Sequence, residues 1–349
     1  GRILVPFPIE SSLSGVQRGV TPQEALWYET TFEVPVAWRR GNDVLLHFGA
    51  VDWRAEVYVN DLLVGSHTGG YTPFSFDITP ALSAKGVQKL TVKVTDSTDK
   101  GFQPHGKQVL EPHGIWYTPV TGIWQTVWIE PVPAANRIEG ITTRSDIRAG
   151  VLSVDVKTAR TGSDRVCVTL SADGKTLAER SSMAGQPVHL AVEHPRLWSP
   201  DDPYLYDLTV TLLRDGRGID RAESYAALRE IATGRDANGI ERMTLNGRPL
   251  FHFGPLDQGW WPDGLYTAPT DEALLYDIRF TKQLGFNMIR KHIKVEPERW
   301  YWHCDREGIL VWQDMPSGDM STGKWEPHRY GAGTDAARSE ESFERKTRN

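Results

Sequence analysis

Residues 245–316 alternate between short apolar runs and amphipathic segments, and this alternation constrains the fold more than any other feature of the chain. Three apolar runs are predicted as strands: residues 250–253, 287–290 and 309–312. Thr270 can cap a first helix, and Pro297 and Gly308 bracket a second one. The bulky run at 309–312 suits a sheet buried on both faces. Repeated β-α units of this size predict either the start of a (β/α) barrel or a doubly wound sheet.

Polar side chains lie at or just past the end of each of these predicted strands. They are His252, Asp257 and Gln258, then Arg290, Lys291 and His292, then Gln313 and Asp314. Both candidate architectures place chemistry where parallel strands end. We therefore expect these side chains to line one edge of the sheet.

The first 235 residues predict β structure. Residues 1–133 contain short period-two segments at regular spacing, which is typical of a sandwich or jelly roll. Residues 134–235 continue this pattern over a length that suits an immunoglobulin-like β-sandwich. The pairs Asn60-Asp61 and Asp173-Gly174 predict hairpin turns. The fold class is therefore a multidomain chain, first β and then α/β from residue 236.

Charge and composition restrict the classes of partner. The formal net charge is −6 and the pI is about 6.0, so no electrostatic argument favours nucleic acid or an anionic membrane surface. No apolar run approaches the roughly 20 residues needed to span a bilayer. Cys167 and Cys304 lie in different predicted domains, so we expect no disulfide framework, and Cys304 is predicted to be a buried thiol.

Several sequence blocks resemble glycoside hydrolase family 2, which includes β-galactosidases, β-glucuronidases and β-mannosidases. Blocks resembling the opening of its catalytic barrel are residues 245–249, 284–290 and 304–311. Blocks resembling its galactose-binding-like jelly roll are residues 48–53, 57–60, 69–74 and 122–128, and residues 197–206 resemble its second domain. The resemblance implies a jelly-roll domain at 1–133, an immunoglobulin-like domain at 134–235 and the incomplete start of a (β/α)8 TIM barrel at 236–349.

The implied activity is that of a retaining exo-β-glycosidase, which uses two carboxyl groups. In the family, the acid/base glutamate follows an asparagine after barrel strand four, and the nucleophile ends strand seven. This chain has no Asn-Glu dipeptide and reaches Asn349 shortly after its third predicted strand. We therefore assign no catalytic residue here and expect an inactive fragment of a hydrolase acting on terminal β-linked sugars, β-galactosidase-like with the sugar left open. A non-catalytic carbohydrate-binding or scaffold protein with a degenerate barrel is the alternative.

The resemblance also implies substrate-binding residues. Arg290 corresponds to an arginine that orients the catalytic carboxylates. The family's substrate histidine lies one residue out of register, so Lys291, His292 or Lys294 occupies the hydroxyl-binding position. Asp314 aligns with an acidic residue that binds magnesium in some β-galactosidases, but aspartate is shorter than the glutamate found there, and we predict no cofactor.

Other candidate substrate-binding residues lie in loops. Asp257 and Gln258 fall where the family has Asn-x-His-Glu. Trp260 and Trp261 either form a stacking wall beside the sugar or pack under the loop. The loop at 104–118 either contributes to the pocket or is an ordinary connection; its candidate residues are His105, Lys107, His113, Trp116 and Tyr117.

The expected partner is a carbohydrate substrate, without nucleic acid or membrane, and a homo-oligomer is left open. The compartment is also left open, with periplasm or secretion favoured over cytoplasm.

Overall fold

The computed structural model describes residues 1–84, 86–101 and 103–317. Before residue 236, these ranges contain strands and three short 3-10 helices, Ser12–Ser14, Val36–Arg39 and Thr79–Ala81, with no α-helix in the described part. The prediction of β structure in this part of the chain is confirmed. The predicted third domain is described as far as residue 317, and its part from 318 to 349 lies outside the described residues.

Nine strands form the first sandwich, the name used below for β1–β9. They are β1 (Leu26–Phe32), β2 (Asn42–Phe48), β3 (Val51–Asp52), β4 (Arg54–Val59), β5 (Leu62–Thr68), β6 (Phe74–Asp77), β7 (Gln88–Thr95), β8 (Gly122–Ile123) and β9 (Val127–Pro133). One sheet has the order β1-β7-β4-β5, a second has the order β6-β2-β9, and β3 pairs with β8. All pairings are antiparallel.

Alternating apolar residues explain why these two sheets pack face to face. Strands β2, β4 and β7 bury every second side chain, and the buried ones from both sheets form a single core. Asn60 and Asp61, between β4 and β5, have φ of 50° and 65°, which is the geometry of a type I′ turn. The predicted hairpin at this position is confirmed.

Seven strands form the second sandwich, the name used below for β10–β16. They are β10 (Ile138–Asp146), β11 (Val151–Thr158), β12 (Arg165–Ala172), β13 (Lys175–Met183), β14 (Val188–Ala191), β15 (Tyr206–Arg214) and β16 (Arg217–Ala226). The sheet β10-β11-β14 faces the sheet β13-β12-β15-β16 across one apolar core. Asp173 and Gly174 both have positive φ between β12 and β13, so this predicted hairpin is confirmed too.

A small antiparallel sheet then leads into the α/β part of the chain. Its strands are β17 (Ile231–Arg235), β18 (Glu241–Leu245) and β19 (Arg248–Pro249). The following strand-helix region consists of β20 (Leu256–Asp257), α1 (Asp271–Gln283), β21 (Met288–Lys291), α2 (Glu298–Glu307) and β22 (Leu310–Gln313). Its three strands are parallel in the order β20-β21-β22. Among the described residues, neither helix is long and apolar enough to cross a membrane.

Local chemistry explains both helices. Thr270 accepts a hydrogen bond from the Ala273 amide at 3.2 Å and caps α1, as predicted. Pro297 is the N-cap of α2, and Gly308 ends it with φ of 76° in the left-handed region. Cys304 in α2 is buried and unpaired, and its burial raises the pKa of the thiol.

The prediction for the first parallel strand is wrong. Residues 250–253 are irregular, and the strand lies at Leu256–Asp257. Gly254 separates the two segments, and a Cβ there would lie 1.7 Å from the Met288 carbonyl oxygen. The chain passes too close to β21 at this glycine for a regular ladder to continue from the apolar run.

The expectation of a sheet buried on both faces holds only in part, because Ile309 and Leu310 are buried whereas Trp312 in β22 is 41% exposed. Leu256 in β20 is exposed as well. One face of the sheet packs on α1 and α2 through Ile289 and Val311. The other face buries Met288 and Leu310 but leaves Leu256 and Trp312 exposed in the described structure.

Two contacts fix the strand-helix region against the sandwiches. Asp305 in α2 accepts hydrogen bonds from Tyr225 and Arg229 of the second sandwich, each at 2.9 Å. Tyr266 packs with Tyr71 and Trp124 of the first sandwich in a buried aromatic cluster. These contacts determine which loops can reach the ends of the parallel strands.

Candidate functional site

The parallel register brings the predicted strand-end residues to one edge. Asp257 in β20 lies beside Lys291 in β21, which lies beside Gln313 in β22. The residues that follow, including His292 and Asp314, therefore extend from the same edge. This is the carboxyl end of all three strands, where parallel α/β sheets carry their ligand sites.

Arg290, His292 and Asp314 form one hydrogen-bonded group at this edge. Arg290 binds Asp314 through two nitrogens, with Nε 3.1 Å from Oδ1 and the terminal nitrogen 3.0 Å from Oδ2. His292 Nδ1 lies 2.8 Å from Asp314 Oδ2. Burial pushes the pKa of Asp314 upward, but hydrogen bonds from Arg290 and His292 outweigh it and hold the pKa below its usual range. An ionised carboxylate can only accept a hydrogen bond, so Nδ1 of His292 is the donor in this contact. In a neutral ring with this tautomer, Nε2 is an acceptor.

A second group lies beneath the edge and is built around Lys291. Its Nζ donates to Asp257 Oδ2 at 2.6 Å and to Glu296 Oε1 at 2.8 Å. Burial disfavours the ammonium, but these two carboxylates dominate, so the pKa of Lys291 is raised overall. Burial also raises the pKa of Asp257, yet the charge of Lys291 reverses this and lowers it. Asp257 is therefore held as a carboxylate, half-buried at the strand end.

Lys294 continues this buried network toward the first sandwich. Its Nζ donates to the carbonyl oxygens of Gly259 at 2.6 Å and Tyr266 at 2.8 Å, and lies 2.9 Å from Glu296 Oε1. Its ammonium also lies 5.6 Å from the centre of the Trp124 ring. Burial lowers the pKa of Lys294 to about 8, although Glu296 opposes the shift. The second oxygen of Glu296, Oε2, is buried without a hydrogen-bond partner in the described structure.

The three candidates for the hydroxyl-binding position differ in how deeply their side chains are buried. The side chains of Lys291 and Lys294 are each 1% exposed, and their ammonium groups donate hydrogen bonds to protein atoms. Neither can therefore reach a ligand at the edge. The structure places Lys291 as a buried support for Asp257, and a substrate-binding role for this lysine stays a prediction. His292 is half-buried at the edge and remains the candidate among the three.

The loop at 104–118 reaches the strand end from the first sandwich. Lys107 Nζ lies 3.2 Å from Gln258 Oε1, and the Tyr117 hydroxyl donates to the same oxygen. The Tyr117 and Trp260 rings pack with centroids 4.5 Å apart. The structure thus places this loop in contact with the predicted site residues Gln258 and Trp260.

The remaining predicted residues pack rather than gather at the edge. Trp260 also contacts Tyr266, and Trp261 packs against the helix-facing core. Trp116 is half-buried in its loop, where its amide donates to the His113 carbonyl at 2.9 Å. A sugar-contacting role for these three tryptophans stays a prediction.

Asp314 was also the candidate metal ligand. Both of its oxygens bind Arg290 or His292, and a cationic guanidinium in contact with a carboxylate opposes a divalent ion. Within the described residues, no group of three histidine, cysteine, aspartate or glutamate side chains could hold a metal ion. The donor set around Asp314 does not fit magnesium.

Sequence reasoning missed Glu296 as a member of this network. It lies one residue before the N-cap of α2, where an acidic residue is usually explained by its favourable interaction with the helix dipole. The available signal was the acidic residue placed between Lys294 and Pro297 after a strand carrying another lysine. Only the fold shows that both ammonium groups converge on it.

Comparisons with known proteins match two segments of the chain to one family. The sugar binding domain model of glycosyl hydrolases family 2 matches residues 4–133, and a second model of glycosyl hydrolases family 2 matches residues 136–229. The chain belongs to glycosyl hydrolases family 2. The family resemblance seen in the sequence is thereby confirmed over both sandwiches.

Curated relatives of this family 2 chain match well beyond these two segments. A β-galactosidase from Bacteroides ovatus is 30% identical over 338 residues, which cover 91% of this chain and 37% of that protein. A β-galactosidase from Thermoanaerobacter pseudethanolicus is 26% identical, over 83% of this chain and 39% of that protein. A β-glucuronidase from Paenibacillus borealis is 26% identical, over 90% of this chain and 54% of that protein. The chain spans about two fifths to one half of the length of these relatives.

Solved structures resemble the family 2 chain in fold. The β-glucuronidase from Ruminococcus gnavus has a TM-score of 0.75 at 22% identity, over 90% of this chain and 54% of that one. A β-D-glucuronidase from Dictyoglomus thermophilum has a TM-score of 0.78 at 21% identity, over 96% and 58%. At these identities the likeness concerns the fold.

Proposed function

We propose that this chain is part of a retaining exo-β-glycosidase that removes terminal β-linked sugars. In this proposal the first sandwich is the family's jelly roll and the second is its immunoglobulin-like domain. The strand-helix region is the first part of a (β/α)8 barrel, and the two catalytic glutamates come from residues outside this chain. Relatives named β-galactosidase and β-glucuronidase support the reaction class and leave the sugar open.

One observation carries the proposal: the group formed by Arg290, His292 and Asp314 at the carboxyl end of the parallel strands. A salt bridge with only a packing role could form anywhere in the fold, whereas this one lies at the edge where parallel α/β sheets bind ligands. Here the Arg290 side chain is 48% exposed, so it retains donor capacity toward an incoming carboxylate or hydroxyl. Asp314 fixes its plane by a bidentate contact.

The described residues would bind and orient the sugar. Asp257, held ionised by Lys291, can accept hydrogen bonds from sugar hydroxyls. His292 can accept one through Nε2, and Arg290 can direct the catalytic carboxylates. Double displacement then needs an acid/base and a nucleophile roughly 5–5.5 Å apart. We assign neither role to any residue of this chain.

The test uses the product of the complete gene. It should hydrolyse at least one nitrophenyl β-galactoside, β-glucuronide or β-mannoside, and proton NMR should show the β-anomer as the first product. Release of the α-anomer would contradict a retaining mechanism. Sugar binding without hydrolysis of any of these substrates would instead favour the non-catalytic alternative.

A further inference from the structure

The side-chain amide of Gln258 is held in one orientation by two residues of the first sandwich's long loop. Lys107 Nζ lies 3.2 Å from its Oε1, and the Tyr117 hydroxyl donates to the same atom. An ammonium group has donors and no acceptor, so the atom facing Lys107 must be the amide oxygen. The other end of the amide, Nε2, has no hydrogen-bond partner among the described residues.

The loop that carries these two donors is itself firmly attached. The amides of His105 and Gly106 both donate to the Ser317 carbonyl at 2.9 Å, beyond the end of β22. Gly106 has φ of 62°, and a Cβ there would lie 2.9 Å from the Ile293 carbonyl oxygen. This close approach beside the end of β21 requires glycine.

Within the loop, the two donors are also tied to each other. The Tyr117 amide donates to the Lys107 carbonyl at 2.8 Å. The Tyr117 ring packs on Trp260, two residues after Gln258, and Lys107 Nζ lies 5.7 Å from the centre of that tyrosine ring. Both donors therefore approach Gln258 from a single rigid unit.

We propose that Lys107 and Tyr117 are positioning residues that fix Gln258 so that its Nε2 donates to an oxygen atom of the bound sugar. Gln258 directly follows β20, at the edge that carries Asp257 and Arg290. An amide free to rotate could present either its donor or its acceptor, whereas the fixed amide presents only N–H groups. The site then selects a sugar with an acceptor oxygen, from a hydroxyl or a carboxylate, at this position. This inference rests on the proposed glycosidase function.

The test measures KM and kcat separately in the complete protein, with the best aryl β-glycoside. Lys107→Met and Tyr117→Phe should each raise KM about 3- to 10-fold, the size expected for one hydrogen bond, with kcat changed less than about twofold. Lys107→Arg keeps a cationic donor and should restore most of the affinity. Lys100→Met, at an exposed lysine paired with Asp99, should leave KM unchanged.

The decisive comparison is made in the Gln258→Met background. Gln258→Met alone should raise KM about 10-fold or more, and adding Lys107→Met should then change KM no further, because Lys107 acts through Gln258. An equal effect of Lys107→Met in both backgrounds would overturn the positioning role. Hydrolysis with a KM insensitive to Gln258→Met would overturn this inference and leave the glycosidase proposal intact. A complete protein that neither binds nor hydrolyses these glycosides would overturn both.

Discussion

In strand β2 of the first sandwich, Val44, Leu46 and Phe48 lie in an apolar core, whereas the end of strand β21 buries Lys291. The strand-helix region also buries Lys294. It places large apolar side chains at the surface instead; these include Phe251, Phe253, Leu256 and Trp312. The first sandwich is thus held together by an apolar core, whereas the strand-helix region combines an apolar core with a charged network that positions polar groups at its edge.

The largest expected effect tests the apolar core of the first sandwich. Phe48 is fully buried and stacks on Phe74 with ring centroids 4.8 Å apart. Phe48→Ala should lower the free energy of unfolding by about 3–5 kcal/mol, because it removes buried area and leaves a cavity. Phe253→Ala, at a side chain 54% exposed, should cost less than about 1 kcal/mol. Urea denaturation measures both, and equal losses would contradict the contrast.

The next prediction tests the charged network of the strand-helix region. Lys291→Met fills much of the same volume but leaves Asp257 and Glu296 without their shared cation. We expect a loss of about 3 kcal/mol in the free energy of unfolding, as for breaking a buried ion pair. Lys93→Met, at a partly exposed lysine paired with Glu56, is the control and should cost less than about 1 kcal/mol. If the two lysine variants lose equal stability, the buried network is not what holds this region.

A third effect concerns activity at the edge, in the complete protein. Arg290→Lys keeps the charge but loses the planar fork that binds Asp314, so kcat/KM should fall by on the order of 100-fold. Stability should change much less, and the pH optimum should move, because a bond that lowers the pKa of Asp314 is weakened. Arg242→Lys is a matched control, since Arg242 in β18 is 50% exposed and pairs with Asp236. A pH–rate profile of both variants is the measurement, and an unchanged profile for Arg290→Lys would make that arginine a packing residue.

The smallest expected effect concerns Glu10, a buried carboxyl group with no cation beside it. Burial raises the pKa of Glu10 to about 7, although hydrogen bonds from Thr121 oppose the shift, and its Oε1 lacks a partner in the described structure. The unfolded chain ionises near pH 4.5 and the folded one near pH 7, so stability is lost as pH rises between them. Nearby Asp96 also has a raised pKa through burial and contributes in the same direction.

Glu10→Gln should therefore match the wild type near pH 5 and exceed it by about 2 kcal/mol at pH 8. The measurement is urea denaturation at both pH values. Glu29→Gln, at an exposed carboxylate paired with Lys89, is the control variant. A variant that is equally stable relative to wild type at both pH values would show that Glu10 ionises normally.

Local chemistry in the sequence predicted much of this fold. Thr270, Pro297 and Gly308 determine the helix ends through capping, which involves only neighbouring residues. The hairpins at Asn60 and Asp173 were predicted for the same reason. The strand near residue 250 was mispredicted because the close approach of Gly254 to Met288 depends on tertiary structure.

The candidate site could be predicted only in part. Arg290 and Lys291 are adjacent in one strand, so their side chains point to opposite faces of the sheet, but the sequence does not show which face is covered. The contact of Lys107 with Gln258 joins residues 151 positions apart, and no local pattern encodes it. Sequence therefore indicated where the polar residues gather, and the fold was needed to separate supports from ligand-facing groups.

We propose that this chain contributes a binding edge and that the catalytic carboxylates lie in residues outside it. The most direct measurement is turnover of nitrophenyl β-galactoside, β-glucuronide and β-mannoside by the isolated 349-residue chain, beside the complete gene product. We expect no turnover by the isolated chain and hydrolysis by the complete protein, since double displacement requires both carboxyl groups. Turnover by the rigorously purified isolated chain would contradict it.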